Sequence, residues 1–337
     1  MTNKVPESGS MAGASASRGA KQTGVRGLFA RASTEAMLLV FLVALLIFLG
    51  TQSEYFLTVG NLRNIGLALS VLAVLAFPST MLIISGNFDL SVASNAAFTG
   101  MLFAVVTNGG KDQVMLGVLV ALLGGLMIGV FNGFLVTVVR VNSLITTLGT
   151  LAIFRGLAKI LSNGQTLRVQ GFRFMGQGEW FGIPIAFYIV AAVAIIVWFI
   201  LRNTVYGRNL YAIGSNATAA RLVGIRNNAT IFATFALTGF LGGVAGLMLT
   251  SELTAASPIA GLGLELSVVS AVVLGGASLA GGRGTVLGTI LGLLILTCVN
   301  NGMTLAGLSS FWQEVARGVI LIAAVAFDQL RIRVGGK

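Results

Sequence analysis

The chain has 337 residues, 56% of them hydrophobic and 9% charged, with a net charge of +11, no histidine and one cysteine. A charged fraction so far below the roughly 25% of soluble domains excludes a water-soluble globule. The cations are scattered between apolar runs rather than gathered with aromatics on one domain, which argues against nucleic acid as a partner. Without histidine, and with Cys298 alone inside an apolar run, zinc sites, His-based acid–base chemistry, catalytic triads and disulfides fall away together. No enzyme and no metal site is expected, and transport is the default.

In chain order, residues 1–33 are rich in Ser, Gly, Ala, Lys and Arg, cannot bury a core, and read as a disordered basic tail in the cytoplasm. Residues 36–50 are short enough for the apolar part of a cleaved signal peptide. No small-x-small cleavage site follows, since the next residues are Thr51, Gln52, Ser53 and Glu54, so the segment reads as a retained first span. Hydropathy marks ten spans, near 35–51, 62–84, 90–107, 114–139, 144–162, 183–201, 231–250, 264–280, 285–301 and 312–328. The expected fold is therefore all-α, a polytopic membrane protein whose residues 34–337 form one transmembrane domain.

With the amino terminus inside, fourteen Lys and Arg residues fall in cytoplasmic segments and five in outer ones, with Arg155 and Arg317 inside spans and uncounted. The positive-inside rule then places both termini in the cytoplasm. Two hydrophilic segments exceed a simple turn, 163–182 outside and 202–230 in the cytoplasm. The glycine-rich run GGRGTVLG lacks the GK[ST] ending of a Walker A loop, so any nucleotide chemistry must come from another chain. The sequons starting at Asn216 and Asn228 fall in cytoplasmic loop and read as accidental.

Residues 85–98 read SGNFDLSVASNAAF and residues 261–273 read GLGLELSVVSAVV. Aligning Asp89 to Ser94 with Glu265 to Ser270 gives four identities, an acid-for-acid exchange and one small apolar change across 176 positions. Five spans separate the copies, so they face opposite sides of the membrane, as in two inverted five-helix repeats that rock around a central site. Each copy places a glycine-preceded polar break beside a helix start whose free amides favour negative charge. The plainer reading, that Asp89 and Glu265 only stabilise helix starts, stays open beside it.

Other polar residues lie at membrane depth. Asn132, in GLMIGVFNG, is either an interhelical hydrogen-bonder or a pathway residue. Lys159 can snorkel outward, while Arg155 needs a partner or a watery cavity. Glu314 and Arg317, three apart, are positioned to neutralise each other. Glycines four apart, at Gly125, Gly129 and Gly133, at Gly239 and Gly243, at Gly242 and Gly246, and at Gly288 and Gly292, permit close helix approach.

The stretches SGNFDLSVAS at 85–94, GLMIGVFNGFLVT at 125–137, SLITTLGTLAIFRGLAKILSNG at 143–164, GRNLYAIGSNATAARLVGI at 207–225 and VVLGGASLAGGRGTVLGTILG at 272–292 together resemble the membrane-spanning permease subunit of bacterial ribose-type ABC sugar importers. The resemblance covers most of the chain from about residue 60. It implies a second permease chain, two cytoplasmic ABC ATPase subunits, an extracytoplasmic solute-binding protein and a monosaccharide as cargo, with no cofactor on this chain and ATP hydrolysed by the partner. It also places a coupling helix in the loop at about 202–230, where Arg208, Tyr211, Gly214, Asn216, Ala219, Ala220, Arg221 and Gly224 are the candidates. Small Ala219 and Ala220 would allow close docking, and Arg208 and Arg221 would meet acidic groups.

The chain departs from that pattern. Thr218 stands where an acid is common, Phe88 replaces an aliphatic residue, Ala93 replaces a glycine, and Val141, Asn142 and Ser143 stand where a proline usually precedes the fifth span. The pathway candidates are Asn87, Phe88, Asp89, Ser91, Asn132, Glu265 and Ser267. An ion-coupled secondary transporter and a non-transporting membrane anchor or receptor are the rival readings.

Overall fold

The computed structural model describes Thr2 and residues 34–335; the tail expected over 1–33 otherwise lies outside the described residues. From Thr34 onward the chain is almost entirely helical. The order is α1 Thr34–Gln52, α2 Val59–Ile84, α3 Val92–Val106, α4 Val114–Thr137, α5 Ser143–Leu161, a single turn α6 Phe174–Gln177, and α7 Ile185–Asn203. It continues with α8 Val205–Ser215, α9 Ala217–Leu222, α10 Asn227–Leu253, α11 Leu264–Leu274, α12 Val286–Leu305 and α13 Ser310–Gly335. Four two-residue strands complete it: β1 Leu167–Arg168 pairs with β4 Ala255–Ala256, and β2 Glu179–Trp180 with β3 Ile183–Pro184.

Each expected span coincides with a helix. Among the described residues, seven of them (α1, α2, α4, α5, α7, α10 and α12) are long and apolar enough to cross a membrane. The helices α3 and α11 are shorter, with 15 and 11 residues, or about 22 and 16 Å at 1.5 Å per residue. Neither reaches across a hydrocarbon layer of about 30 Å. The span expected over 264–280 thus ends early, at Leu274, because Gly276 takes a left-handed turn (φ 92°) that stops the helix.

The core is built from the middle of α2, Val71 to Phe77, packed with Leu241, Ala245 and Met248 of α10 and Val268, Ala271 and Val272 of α11. The two short helices have matching neighbours. The helix α3 packs on α4, α5 and α10, while α11 packs on α12, α13 and α2. Likewise α4 lies along α10 and α12 lies along α2. Exchanging the halves of the chain maps one set onto the other, with α2 and α10 crossing over into the opposite set. The outer helices break the pattern, since α1 packs on α12 but α7 packs on α2.

The two long pairings are held by different chemistry. Along α4 and α10 the backbones touch: a Cβ at Gly125 would lie 2.5 Å from the Gly239 oxygen, and one at Gly129 would strike the Phe235 oxygen and come 2.8 Å from the Gly239 Cα. The four-residue glycine spacing on each helix is what brings them this close. Asn95 of α3 sits on the crossing and donates from Nδ2 to the Gly239 oxygen at 3.1 Å and the Gly125 oxygen at 3.5 Å. Along α2 and α12 side chains do the joining, with Asn61 and Asn301 exchanging amide hydrogen bonds of 2.9 and 2.8 Å and Thr80 meeting Thr289 at 2.8 Å.

The segment after α5 is strapped down. Its strand β1 pairs with β4, Gln170 donates to the Gly109 oxygen at 2.7 Å, Phe172 stacks on Phe103 at 4.5 Å, and the Gly176 amide donates to Ser251 Oγ. An ion pair between Arg63 and Glu179 ties its far end to α2.

A Gly129→Leu substitution should lower the stability of the detergent-solubilised protein by about 3 kcal/mol or more, since backbone atoms cannot make room. Gly149→Leu, where nothing lies within 4 Å, should leave the thermal unfolding midpoint nearly unchanged. Equal midpoints for the two variants would contradict the close α4–α10 approach.

Candidate functional site

Both short helices follow a stretch of non-helical backbone. The first break runs from Ser85 to Leu90. Here Gly86 is left-handed (φ 78°), the Asn87 amide returns to the Leu82 oxygen at 2.9 Å, and the Phe88 amide donates to Ser143 Oγ at 3.3 Å. Asp89 is only 5% exposed. Its Oδ1 accepts from the Ser91 amide at 2.8 Å and from Ser91 Oγ at 2.6 Å, and Asn132 Nδ2 of α4 donates to Ser91 Oγ at 2.8 Å. The Ser91 hydroxyl therefore donates to a carboxylate and accepts from an amide, one polarised chain buried between α3 and α4. Asn132 Oδ1, also buried, has no protein partner.

This arrangement brings together Asp89, Ser91 and Asn132 out of the seven pathway candidates. Asn87 lies on the same break, but its side chain turns back to the Ser85 oxygen and Oγ, both at 3.2 Å. Phe88 is half-buried and packs against the main core.

Glu265 and Ser267 lie at the second break, which runs from Thr254 through a turn at 258–263 with left-handed Gly261 and Gly263. Glu265 is in the first turn of α11, whereas Asp89 precedes α3 altogether. The repeated words thus differ by about one turn in where the helix begins. Ser267 Oγ donates back to the Gly263 oxygen at 3.2 Å, and Glu265 Oε2 is buried with no partner.

Two arginines from within spans hold this second break. Arg155, 7% exposed on α5, donates from Nη1 to the Pro258 oxygen at 3.1 Å and the Ala260 oxygen at 2.8 Å, with Glu265 as its favourable electrostatic neighbour. Its Nε and Nη2 stay buried and unpartnered. Arg317 of α13 reaches the Gly263 oxygen at 3.4 Å. It forms no ion pair with Glu314 among the described residues; its guanidinium is directed to the loop carbonyl of Gly263, which the tertiary packing brings to it, and Glu314 is exposed. Neither arginine is among the pathway candidates, although the sequence marks Arg155 as a buried cation in need of a partner or a watery cavity. Asn95 was missed in the same way.

The expected coupling segment folds as α8 and α9, and it divides into an inward and an outward face. Tyr211 donates its hydroxyl to the Gly284 oxygen at 2.8 Å. Burial pushes this phenol above its ordinary pKa, so it remains a donor at neutral pH. Gly214 abuts the end of α2: a Cβ there would strike the Ile84 oxygen and lie 2.5 Å from the Gly282 amide, and that amide itself donates to the Ile84 oxygen at 2.8 Å. Asn216 caps α9 by accepting from the Ala219 amide at 2.9 Å.

Ala220 is buried, so of the alanine pair only Ala219 faces outward. Arg208, Arg221 and the left-handed Gly224 are exposed, as are Leu222 (84%) and Val223 (77%), two apolar residues that were not singled out.

The family model for the permease component of branched-chain amino acid transport systems matches residues 61–325. The chain belongs to that permease family. It is 40% identical over 297 residues to the L-arabinose transport system permease protein AraH of Escherichia coli K12, covering 88% of this chain and 90% of that one. It is 37% identical over 296 residues to the ribose import permease protein RbsC of the same strain, covering 86% and 92%. The L-arabinose ABC transporter permease protein AraH of Azospirillum brasilense is 36% identical over 307 residues, covering 90% of each. No solved structure matches the chain. The expected permease resemblance is thereby established, and the protein is a multi-pass membrane permease.

Asn132→Ala removes the amide donor from the Ser91–Asp89 chain. It should cost about 1–3 kcal/mol in unfolding free energy, the range for breaking a buried hydrogen bond while leaving a polar partner behind. Thermal unfolding of the purified variant measures it, and a change within error of zero would mean that Asn132 is not part of the network.

Proposed function

We propose that the chain is the translocating subunit of an ATP-binding cassette importer that carries a monosaccharide (a pentose, hexose or deoxyhexose) inward. The single observation that carries the mechanism is the seating of α8 directly on the Asp89 break. Gly214 presses on Ile84, the last residue of α2, and five residues later Asp89 anchors the start of α3. A push on α8 from the cytosol is transmitted to the buried Asp89–Ser91–Asn132 chain through backbone contact alone. The sugar as cargo rests on the relatives, named for arabinose and ribose transport; the branched-chain amino acid label belongs to the broader family description.

In this reading two such chains form the pathway, ABC ATPase subunits dock on the outward face of α8 and α9, and an extracytoplasmic solute-binding protein delivers the sugar. Both termini face the cytoplasm, and the two halves are inverted repeats that alternate access. The outward face offers Arg208, Ala219, Arg221, Leu222 and Val223 to the motor, an apolar centre with cationic edges. Asp89, Ser91, Asn132, Glu265 and Ser267, with Asn87 and Phe88, border the route. Buried acceptors without protein partners, Asn132 Oδ1 at the first break and Glu265 Oε2 at the second, suit the transient hydrogen bonds of sugar hydroxyls. Arg155 and Arg317 hold the second break closed.

Sugar-stimulated ATP hydrolysis in vesicles holding this chain and its ATPase tests the proposal. Uptake that survives ATP depletion but collapses with an ion gradient would favour a secondary transporter, and an inert chain would favour an anchor or receptor. Asp89→Ala should cut sugar uptake about tenfold with normal membrane insertion, equivalent to about 1.4 kcal/mol; undiminished uptake removes Asp89 from the pathway. Gly214→Ala should leave the ATPase bound and hydrolysing while transport per ATP falls, and tight coupling in that variant would show that force does not pass through Ile84.

A further inference from the structure

Between the strapped segment and α7 the chain makes one tight hairpin. Its strands β2 and β3 pair Glu179 with Pro184 and Trp180 with Ile183, which leaves Phe181 and Gly182 as the turn. The Ile185 amide donates to the Gly178 oxygen at 2.9 Å and closes the base of the ladder. Both turn residues are left-handed, with φ 51° at Phe181 and 74° at Gly182, the geometry of a two-residue turn that favours Asn-Gly. Its β-carbon makes that conformation unfavourable for a phenylalanine, yet Phe181 holds it with the residue 85% exposed. The aromatic neighbour of Phe181 is Trp180, at 5.2 Å and itself 60% exposed, so neither ring fills the core. Trp180 and Ile183 are directly opposite in the ladder, which puts their side chains on one face, and Ile183 is exposed as well.

The position of this apolar tip follows from α7. That helix starts at Ile185, directly after the hairpin, and has 19 residues, or about 28 Å at 1.5 Å per residue. The length barely spans a hydrocarbon layer of about 30 Å, so α7 must begin at one boundary of the layer and end at the other. Ile195, Ile196, Trp198 and Phe199 give it an exposed apolar surface, and in its last turn Arg202 lies over the Trp198 ring at 5.6 Å. The hairpin is fastened to the opening turn: the Tyr188 hydroxyl donates to the Trp180 oxygen at 3.1 Å, and the two rings are 5.5 Å apart. Trp180 therefore stands beside the first turn of α7, at the level where Trp and Tyr partition between hydrocarbon and headgroups.

The charges of the hairpin favour lipid over a protein partner. Glu179, the one charged residue in 179–184, is already paired with Arg63 of α2, which leaves no free charge on the hairpin to steer or orient a docking protein. The backbone sets the depth. A turn with open peptide groups cannot enter hydrocarbon, so the side chains go in while the Phe181–Gly182 backbone stays among the headgroups.

We propose that the β2–β3 hairpin is a membrane-interface anchor, in which Trp180, Phe181 and Ile183 insert among the headgroups and upper acyl chains of the leaflet where α7 begins. Its partner is the lipid surface, with no requirement for headgroup charge. The anchor rests on α7 crossing the membrane, and neither the cargo nor the side on which the termini lie bears on it. Through Glu179 and Arg63 it fastens the first turns of α2 at the same level, at the opposite end of α2 from the Ile84 contact with α8.

The test uses the full chain with Trp198→Phe and Trp312→Phe, which keeps Trp180 as its one tryptophan. Both replaced residues are exposed, so the fold should persist. In vesicles of phosphatidylcholine brominated high on the acyl chains, Trp180 emission should fall about twofold relative to unbrominated lipid, and much less with bromine near the chain ends. Adding Phe181→Asn, a residue suited to the left-handed turn, should weaken the shallow quenching and leave the thermal unfolding midpoint in place.

Equal emission in all three lipids, with Trp180 open to quenching by iodide from the water, overturns the proposal. Shallow quenching undiminished by Phe181→Asn also contradicts it, since the turn would then insert nothing. Shielding of Trp180 from iodide that arises only when a sugar-loaded solute-binding protein is added assigns the hairpin to protein docking and rejects the lipid anchor.

Discussion

Inside hydrocarbon no water is present to satisfy a peptide group, so a helix can be interrupted only where side chains or other backbone take over its hydrogen bonds. The Asp89 carboxylate meets that requirement at the first interruption. By accepting from both the Ser91 amide and the Ser91 hydroxyl, it lets α3 begin inside the helical bundle, and Asn132 fastens the result to α4. At the second interruption the polarity is reversed: arginines donate to the loop carbonyls Pro258, Ala260 and Gly263. One break is held by an acceptor and the other by donors. Both leave polar atoms that no protein group satisfies, Asn132 Oδ1 in one and Glu265 Oε2 in the other.

The short helices draw the remaining helices around them. The α4–α10 pair meets through glycine backbones, and Asn95 of α3 bonds to two carbonyls at that crossing. A contact made of backbone is stiff, because no rotamer change relieves it. The α2–α12 pair meets through amide and hydroxyl side chains, which tolerate sliding by exchanging partners. The two halves of the molecule are alike in neighbours and unlike in the chemistry of their long helix pairings.

The helix α8 reaches this first break without an intervening side chain, since Gly214 rests against Ile84 and Gly282. Tyr211, tied to Gly284, keeps the helix from tilting away from that contact. On the opposite side the strapped segment after α5, joined through β1–β4 and Gly176 to the end of α10, encloses the loop that Arg155 holds. The second break is thus roofed over by the strapped segment, while the first carries α8 against its start.

Ten of the thirteen helices, and the glycine spacing that brings α4 against α10, were legible in the sequence. Hydropathy, charge and small-residue spacing are local properties that a linear reading captures. The near-repeat of Asp89–Ser94 in Glu265–Ser270 pointed to two interruptions, yet it could not show that α11 begins about a turn earlier relative to the repeated words than α3 does, or that Leu274 ends it. The inward turn of Ala220, the bond of Arg317 to Gly263 and the node at Asn95 were decided by tertiary structure alone. Each depends on groups brought together from distant parts of the chain, such as Gly214 against Ile84 or Arg155 against Ala260. Which polar group satisfies a buried atom is fixed by how the helices pack, and packing distance bears no relation to distance along the sequence.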